Sequence, residues 1–315
     1  MREPGKQPVV LDIDGSVGAL PGRLVLPLKR WQESLRFGCS LATLRRFGAV
    51  LDELLPEEHG TVFLGSGDFH HLSWPLIARL AVDRPALDRP AVARPAVDRR
   101  FQVVVLDNHP DNMRFPFGVH CGSWVRKVAL LPQVSHVHVL GITSADIGSG
   151  HAWENYLTPL RRGKLSYWSI GVDTGWSRRL GLAHAFRGFE SPEALVDAFI
   201  EFQRTQHTPS YLSIDKDVFA PEVARTNWDQ GRLLVPHALA LIDSLRGGLV
   251  GSDINGEVSL YRYRSWWKRR LSAIDGQPEI DPVVLADWQA QQHALNLRLL
   301  EAIAAKGRAD TSAWQ

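Results

Sequence analysis

Seven short runs rich in β-branched and apolar residues recur along the 315-residue chain and alternate with longer helix-like stretches. Runs of this kind are typical of strands, and they cover residues 9–13, 61–65, 101–107, 134–142, 165–173, 210–215 and 248–254. Several are apolar along almost their whole length, as expected of parallel strands that are covered on both faces. Helix start and stop signals bound the segments 191–204, 235–248 and 281–307. The chain therefore predicts a three-layer α/β fold, with a mostly parallel sheet between two layers of helices.

One segment interrupts this alternation. Residues 81–100 read AVDRPALDRPAVARPAVDRR, which is four copies of a five-residue unit. Its three prolines exclude a regular helix or a central strand. We interpret the segment as a low-complexity surface insertion between a helix and the next strand, with a recognition arm as the alternative. Residues 1–315 are then predicted to form a single domain.

Composition and charge limit the partners and the compartment. The formal net charge is +2, which offers no electrostatic basis for a nucleic-acid partner. The cysteines, Cys39 and Cys121, are far apart and fit a reducing compartment. The start of the chain lacks the apolar core of a signal peptide, and no apolar run is long enough to span a membrane. We therefore expect a cytoplasmic protein without a membrane partner, and a homo-oligomer is compatible with this sequence.

Polar clusters directly follow four of the predicted strands. Their sequences are GSGDFHHLS (65–73), LDNHPDN (106–112), YLSIDKDVFAPE (211–222) and GSDINGEVS (251–259). The carboxyl ends of parallel strands meet at one edge of a sheet, so these clusters are expected to converge there. Several aspartates at one edge would repel each other unless cations neutralised them. The four clusters together predict a site for two metal ions.

The cluster LDNHPDN carries the strongest signal of the four. Asp107, His109 and Asp111 are two residues apart, and such positions share one face if the strand continues through them. Carboxylate and imidazole groups together suit a divalent ion such as Mn²⁺ or Zn²⁺. A turn that leaves the three side chains in water is the alternative.

The order of these motifs resembles that of the ureohydrolase superfamily (arginase, agmatinase and formiminoglutamase), of which the chain looks like a divergent member. That family carries Gly-Gly-Asp-His, Asp-x-His-x-Asp and Ser-x-Asp-x-Asp. The resemblance implies an arginase/deacetylase-like fold and two manganese ions per chain. It implies ligands at six positions, namely the bridging pair Asp107 and Asp215, then His70 and Asp111 for one ion, and His109 and Asp217 for the other. GDFHH has one residue more than Gly-Asp-His, so His71 remains an alternative to His70.

Two further segments extend the resemblance. HCGSWVRKVALL (120–131) is similar to the family's His-Gly-Thr-x-Phe-Arg-Arg segment and implies that His120 is a catalytic proton shuttle. GSDINGEVS is similar to Gly-Phe-Asp-x-x-Glu-Val and implies substrate-binding roles for Asp253 and Glu257. Glu257 is also implied as a catalytic residue, with its carboxylate receiving a guanidinium group. The implied reaction is metal-dependent C–N hydrolysis. It would release urea from a free guanidino compound, or from an arginine side chain in a peptide to give ornithine.

Other functions use different residues. A single-zinc amide deacetylase of the histone-deacetylase class would use a dyad such as His70-His71, but it would not need Asp111 or Asp217. VVLDIDGSV (9–17) is similar to the motif of haloacid-dehalogenase phosphatases, in which Asp12 would be the nucleophile and Asp14 the acid/base. A non-catalytic binding protein on the same scaffold is the remaining alternative.

Overall fold

The computed structural model describes residues 6–81, 100–274 and 280–312. The repeat insertion predicted at 81–100 therefore lies outside the described residues, except for its first and last members. None of the described helices is long and apolar enough to cross a membrane.

Nine strands of the described chain form one parallel sheet. All strands, in chain order, are β1 (Val9–Asp12), β2 (Leu24–Pro27), β3 (Gly38–Cys39), β4 (Val62–Ser66), β5 (Phe101–Leu106), β6 (Val119–His120), β7 (Val134–Ile142), β8 (Leu165–Ile170), β9 (Phe186–Phe189), β10 (Ser210–Asp215) and β11 (Leu249–Glu257). The sheet order is β2-β1-β4-β11-β10-β5-β7-β8-β9, and each neighbouring pair runs parallel. Strands β3 and β6 form a separate antiparallel pair. Each of the seven predicted runs overlaps a strand of the sheet, and the parallel sheet between helices confirms the predicted fold class.

Helices cover both faces of the sheet. In chain order they are α1 (Gln32–Leu35), α2 (Leu41–Leu54), α3 (Ser73–Ala81), α4 (Val125–Ala129), α5 (Leu157–Arg161), α6 (Trp176–Arg179), α7 (Pro192–Arg204), α8 (Val235–Ser244), α9 (Trp266–Ile274) and α10 (Pro282–Ser312). Because successive strand side chains point to opposite faces, β5 contributes to two cores. Val103 and Val105 pack in a cluster with residues of α2, α3 and α4, whereas Val104 and Leu106 pack with residues of α7, α8 and α10. These two buried clusters are the interfaces between the three layers.

Local signals explain where α7 and α10 begin. The Ser191 side chain accepts a hydrogen bond from the Ala194 amide, and Pro192 occupies the first turn of α7. Asp281 accepts a hydrogen bond from the Val283 amide in the same way at the start of α10. Helix α10 continues past Gly307, where the sequence predicted its end. A lone glycine costs a helix only about 1 kcal/mol relative to alanine, which is too little to stop a long helix.

The four polar clusters follow β4, β5, β10 and β11, as predicted. In the sheet these strands are direct neighbours, in the order β4-β11-β10-β5. All four run in the same direction, so their carboxyl ends open onto one edge. Segments that are far apart in the chain thereby contribute side chains to one site.

Candidate metal centre

The turn after β5 supplies three acidic or imidazole side chains to the site. Strand β5 ends at Leu106, so Asp107, His109 and Asp111 lie in the following loop rather than on a strand. The expectation that they share a strand face is therefore wrong, although the three side chains do converge. Asp111 makes this possible by adopting a left-handed backbone conformation with φ of 45°. Aspartate tolerates that conformation better than most residues.

His70 faces the carboxylates from the end of β4. It lies in a 3₁₀ helix (Gly67–Leu72), and its Nδ1 atom is 2.8 Å from Asp111 Oδ2, 3.2 Å from Asp107 Oδ2 and 3.4 Å from Asp215 Oδ2. His71 points elsewhere, and both of its buried ring nitrogens lack a hydrogen-bond partner among the described residues. The structure therefore brings His70, not His71, to the acidic cluster.

His109 forms a second group beside the first. Its Nδ1 atom is 2.9 Å from Asp217 Oδ2 and 3.6 Å from Asp107 Oδ1. Asp217 is oriented by the backbone N–H of Asn108, which donates a hydrogen bond to Asp217 Oδ1 at 3.1 Å. Potential ligand atoms lie within 4.8 Å of one another in each of two groups, His70-Asp107-Asp111 and Asp107-His109-Asp217. Asp107 belongs to both groups and contributes a different oxygen to each.

The outward nitrogens of both imidazole rings are also engaged. His70 Nε2 is 3.0 Å from the Ser213 hydroxyl, which in turn donates to Asp253 at 2.7 Å. His109 Nε2 is 2.7 Å from Asp229 Oδ1. In both rings Nδ1 is thus directed at the carboxylates. Ser213 lies in the Ser-x-Asp-x-Asp motif and could have been found from the sequence, whereas no local pattern marked Asp229.

Burial and mutual repulsion perturb the carboxyl groups strongly. Burial, reinforced by the neighbouring Asp107 carboxylate, raises the pKa of Asp111 and that of Asp217 to about 7. Burial and Asp217 raise the pKa of Asp215 well above its usual range. Burial also works to raise the pKa of Asp107, but hydrogen bonds from His109 and His70 outweigh it and hold that pKa below its usual range.

The donor set fits divalent cations. Asp107 Oδ2 is buried, and the His70 Nδ1 atom 3.2 Å away is shared with Asp111 and Asp215. Three buried carboxylates around one imidazole nitrogen are costly unless a cation compensates their charge. Carboxylate oxygens with imidazole nitrogens are ligands that Mn²⁺, Zn²⁺ and similar ions accept. The residues present therefore suit the metal centre that the sequence predicted.

These pKa values predict that metal affinity depends on pH. Metal ligands must be deprotonated, and Asp111 and Asp217 still hold protons near pH 7 in the metal-free site. We expect Mn²⁺ binding to release protons and to weaken as the pH falls below 7, by about tenfold per pH unit for each proton displaced. Calorimetric titrations at pH 6 and pH 8, in buffers of different ionisation enthalpy, measure both effects. Equal affinity at both pH values without proton release would contradict the prediction.

A cavity of about 310 Å³ opens above the two groups. Its wall is largely aromatic and apolar, and it includes Phe37, Met113, Phe115, His120, Cys121 and Trp228. Charged side chains are added by Arg114, Asp146 and Asp229. None of the wall residues other than His120 was expected from the sequence, because each depends on how a loop folds over the site.

His120 lines this cavity, as expected for a residue that acts on the substrate. Its ring stacks on Phe37 at 5.9 Å and meets Phe115 edge-on at 4.5 Å. Burial lowers the pKa of His120 to about 4. Its Nδ1 atom accepts a hydrogen bond from the Gly122 amide at 3.0 Å. At neutral pH the ring is therefore neutral and carries its proton on Nε2.

The structure does not bring Glu257 or Asp253 to the described lining of the cavity. Glu257 Oε1 is 2.6 Å from the buried Lys216 ammonium and accepts a hydrogen bond from Asn296 at 2.6 Å. The preceding residue, Gly256, has φ of 86° and packs against Asp215 so closely that a side chain there would clash with its carboxylate. Asp253 is buried and accepts from Tyr211, Ser213 and Ser73. The positions of Glu257 and Asp253 therefore do not support the expected contact of either carboxylate with the substrate.

The residues required by the other functions also lie apart from the cavity. Asp14 forms a buried ion pair with Arg36 at 3.4 Å and accepts from the Ser259 hydroxyl at 3.0 Å. Asp12 is 3.8 Å from the exposed Lys29 ammonium. Asp12, Asp14 and His71 are all absent from the described lining of the cavity. The geometry therefore favours neither a phosphatase at Asp12 nor a deacetylase with a His70-His71 dyad.

Comparisons with solved structures agree with the fold described above. No family model matches the chain. An uncharacterized protein of Thermotoga maritima is 25% identical over 223 residues, which cover 70% of this chain and 67% of that protein. The agmatine ureohydrolase of Thermoplasma volcanium is 14% identical with a TM-score of 0.50, and 96% of this chain and 90% of that chain are covered. The formimidoylglutamase of Bacillus subtilis is 14% identical with a TM-score of 0.52, over 96% and 89% of the two chains. The chain therefore has the fold of the ureohydrolase superfamily.

Proposed function

We propose that this protein is a binuclear manganese-dependent hydrolase that cleaves a guanidino group and releases urea. The observation that carries the proposal is the convergence of four buried aspartates and two histidines, with both Nδ1 atoms directed inward. One ion would be held by His70, Asp107, Asp111 and Asp215, and the other by Asp107, His109, Asp215 and Asp217. The fold shared with an agmatine ureohydrolase and a formimidoylglutamase supports the same chemistry. The choice of manganese over another divalent ion rests on the resemblance of the motifs to those of the ureohydrolases.

The chain's own residues suit this reaction. Two bound divalent cations supply the Lewis-acid chemistry that hydrolysis of a C–N bond requires. The aromatic side chains of Phe37, Phe115 and Trp228 line the cavity and limit access of bulk water. As the proton shuttle, His120 would pass its Nε2 proton to the leaving amine and would recover a proton at Nε2 from the water that attacks the substrate.

A carboxylate is available for a cationic substrate. Asp146 lines the cavity, and the described contact of its side chain is a hydrogen bond from the Ser144 hydroxyl at 3.1 Å. We assign to Asp146, rather than to Glu257, the contact with a positively charged group of arginine, agmatine or an arginine-containing peptide. A reducing compartment such as the cytoplasm suits the two buried cysteines, which are not joined in a disulfide.

The proposal is tested by metal content and urea release. Protein purified without chelator should contain about two manganese ions per chain, as expected for two-metal hydrolases. It should release urea from arginine, agmatine or an arginine-containing peptide. His120→Asn should keep both ions but lower kcat by roughly 10²- to 10⁴-fold, the usual contribution of a proton-transfer group. One zinc per chain with amide deacetylation, or no metal uptake at all, would contradict the proposal.

A further inference from the structure

The loop between β10 and α8 covers the second ligand group. Trp228 packs so closely over Gly67 that a side chain there would come within 2.8 Å of its ring. The same indole meets the His109 ring at 6.2 Å and at an angle of 71°. The next residue, Asp229, places its Oδ1 atom 2.7 Å from His109 Nε2. This part of the loop thus contacts a proposed metal ligand on the side opposite the carboxylates.

Asp229 is oriented even though its side chain is 65% exposed. The Asn108 side chain donates to Asp229 Oδ2 at 3.1 Å and to the Asp229 backbone oxygen at 3.2 Å. Asn108 is itself fully buried, and its Oδ1 atom accepts hydrogen bonds from the amide and the hydroxyl of Thr143. The backbone N–H of Asn108 also donates a hydrogen bond to Asp217. Asn108 therefore contacts both Asp229, through its side chain, and the proposed ligand Asp217, through its backbone N–H.

The contact determines which nitrogen of His109 keeps its proton when the ring binds a cation. A carboxylate can only accept a hydrogen bond, so Nε2 must be the donor. By the same argument Nδ1, which is 2.9 Å from Asp217 Oδ2, donates to that carboxylate in the metal-free protein. When this hydrogen leaves, the neutral ring keeps its proton on Nε2 and presents the Nδ1 lone pair between Asp107 and Asp217. Metal-binding histidines are commonly fixed in this way by a carboxylate or carbonyl behind the ring.

The two histidines differ in the charge of the group behind them. The partner of His70 is the Ser213 hydroxyl, which donates a hydrogen bond to Asp253. The partner of His109 is a carboxylate that makes direct contact. A negative charge behind the ring raises its basicity as a ligand more than a hydroxyl does. The structure therefore provides unequal support for the two ligand groups.

We propose that Asp229 is a positioning residue that holds His109 in its metal-binding tautomer and sets the affinity of the Asp107-His109-Asp217 group. The inference rests on the proposed function only in that this group binds a cation. It predicts that the two metal sites of one chain respond differently to a change at Asp229.

The test is a Mn²⁺ titration of the metal-free, full-length protein by calorimetry. For Asp229→Ala we expect one of the two dissociation constants to rise roughly 10- to 100-fold, the usual effect of removing such a partner, while the other is unchanged. Asp229→Asn should be intermediate, because its one oxygen can accept from His109 or from Asn108 but not from both. Asp146→Asn removes the same charge from the cavity wall without touching a ligand, and it should leave both constants unchanged.

Different failures have different meanings. A wild-type protein that takes up fewer than two ions would contradict the proposed binuclear centre itself. A wild-type protein that binds two ions, together with an Asp229→Ala variant that binds both equally tightly, would overturn only the role of Asp229. Equal weakening of both constants in Asp229→Ala would indicate a general structural role and would also overturn the inference. An Asp229→Asn variant as weak as Asp229→Ala would overturn the role of the hydrogen bond.

Discussion

Asp107→Ala should abolish the binding of both metal ions. Its Oδ2 atom lies 3.2 Å from His70 Nδ1, and its Oδ1 atom lies 3.6 Å from His109 Nδ1. Removing it deletes one ligand from each group, so each affinity should fall by more than the roughly 10- to 100-fold lost with an outer partner. Plasma mass spectrometry of purified protein and calorimetric titration of metal-free protein measure the two losses.

A matched aspartate provides the control for this experiment. Asp12 ends β1 at the same edge of the sheet, but it pairs with Lys29 rather than with the metal centre. Asp12→Ala should therefore keep both ions. The same variant tests the phosphatase hypothesis, in which Asp12 would be the nucleophile and its loss would abolish activity. Two ions retained by Asp107→Ala would show that the centre is assigned to the wrong residues.

Lys216→Met should destabilise the protein by about 3–5 kcal/mol, because it leaves a buried charge without its partner. The Lys216 ammonium is fully buried, 2.6 Å from Glu257 Oε1 and 3.1 Å from Asn296 Oδ1. Burial lowers the pKa of Lys216, whereas Glu257 works to raise it. After the substitution, the Glu257 carboxylate would keep Asn296 but lose its cation. Urea denaturation in the presence of chelator measures the effect without a contribution from bound metal.

The double variant separates a structural pair from a substrate-binding carboxylate. Lys216→Met with Glu257→Leu removes both charges, so it should recover much of the stability lost in the single variant. Glu257→Gln should lower the free energy of unfolding, because the amide no longer neutralises Lys216. A higher KM for Glu257→Gln with unchanged stability would instead support the substrate contact expected from the sequence.

The main strands could be predicted because a parallel sheet buries both faces of its strands. Residues such as Val103, Val104 and Val105 are all buried, and this leaves a continuous apolar run in the sequence. Strands β2, β3, β6 and β9 were missed. They have two to four residues each, and β2 and β9 form the edges of the sheet with partly exposed side chains. Short strands of this kind carry no periodic signal that distinguishes them from loops.

The sequence alone also determined that the chemical groups meet. Asp107, His109 and Asp111 directly follow a strand, and the direction of parallel strands brings them to the edge reached by Asp215 and Asp217. This prediction needs only the chain order of strands and motifs. It holds even though the three residues after β5 converge through a turn and not along a strand face.

Only the tertiary structure decided which side chains point into the site. The choice of His70 over His71, the withdrawal of Glu257 towards Lys216 and the position of Asp229 behind His109 each depend on contacts with distant segments. Near a loop, a shift of one residue turns a side chain to another face, and local spacing does not specify that shift. The orientation is decided by burial and charge pairing, because a buried ion without a partner costs several kcal/mol. The chain order of the strands and the spacing of the motifs can therefore be read from the sequence. The orientation of each site side chain follows from the packing of the whole fold.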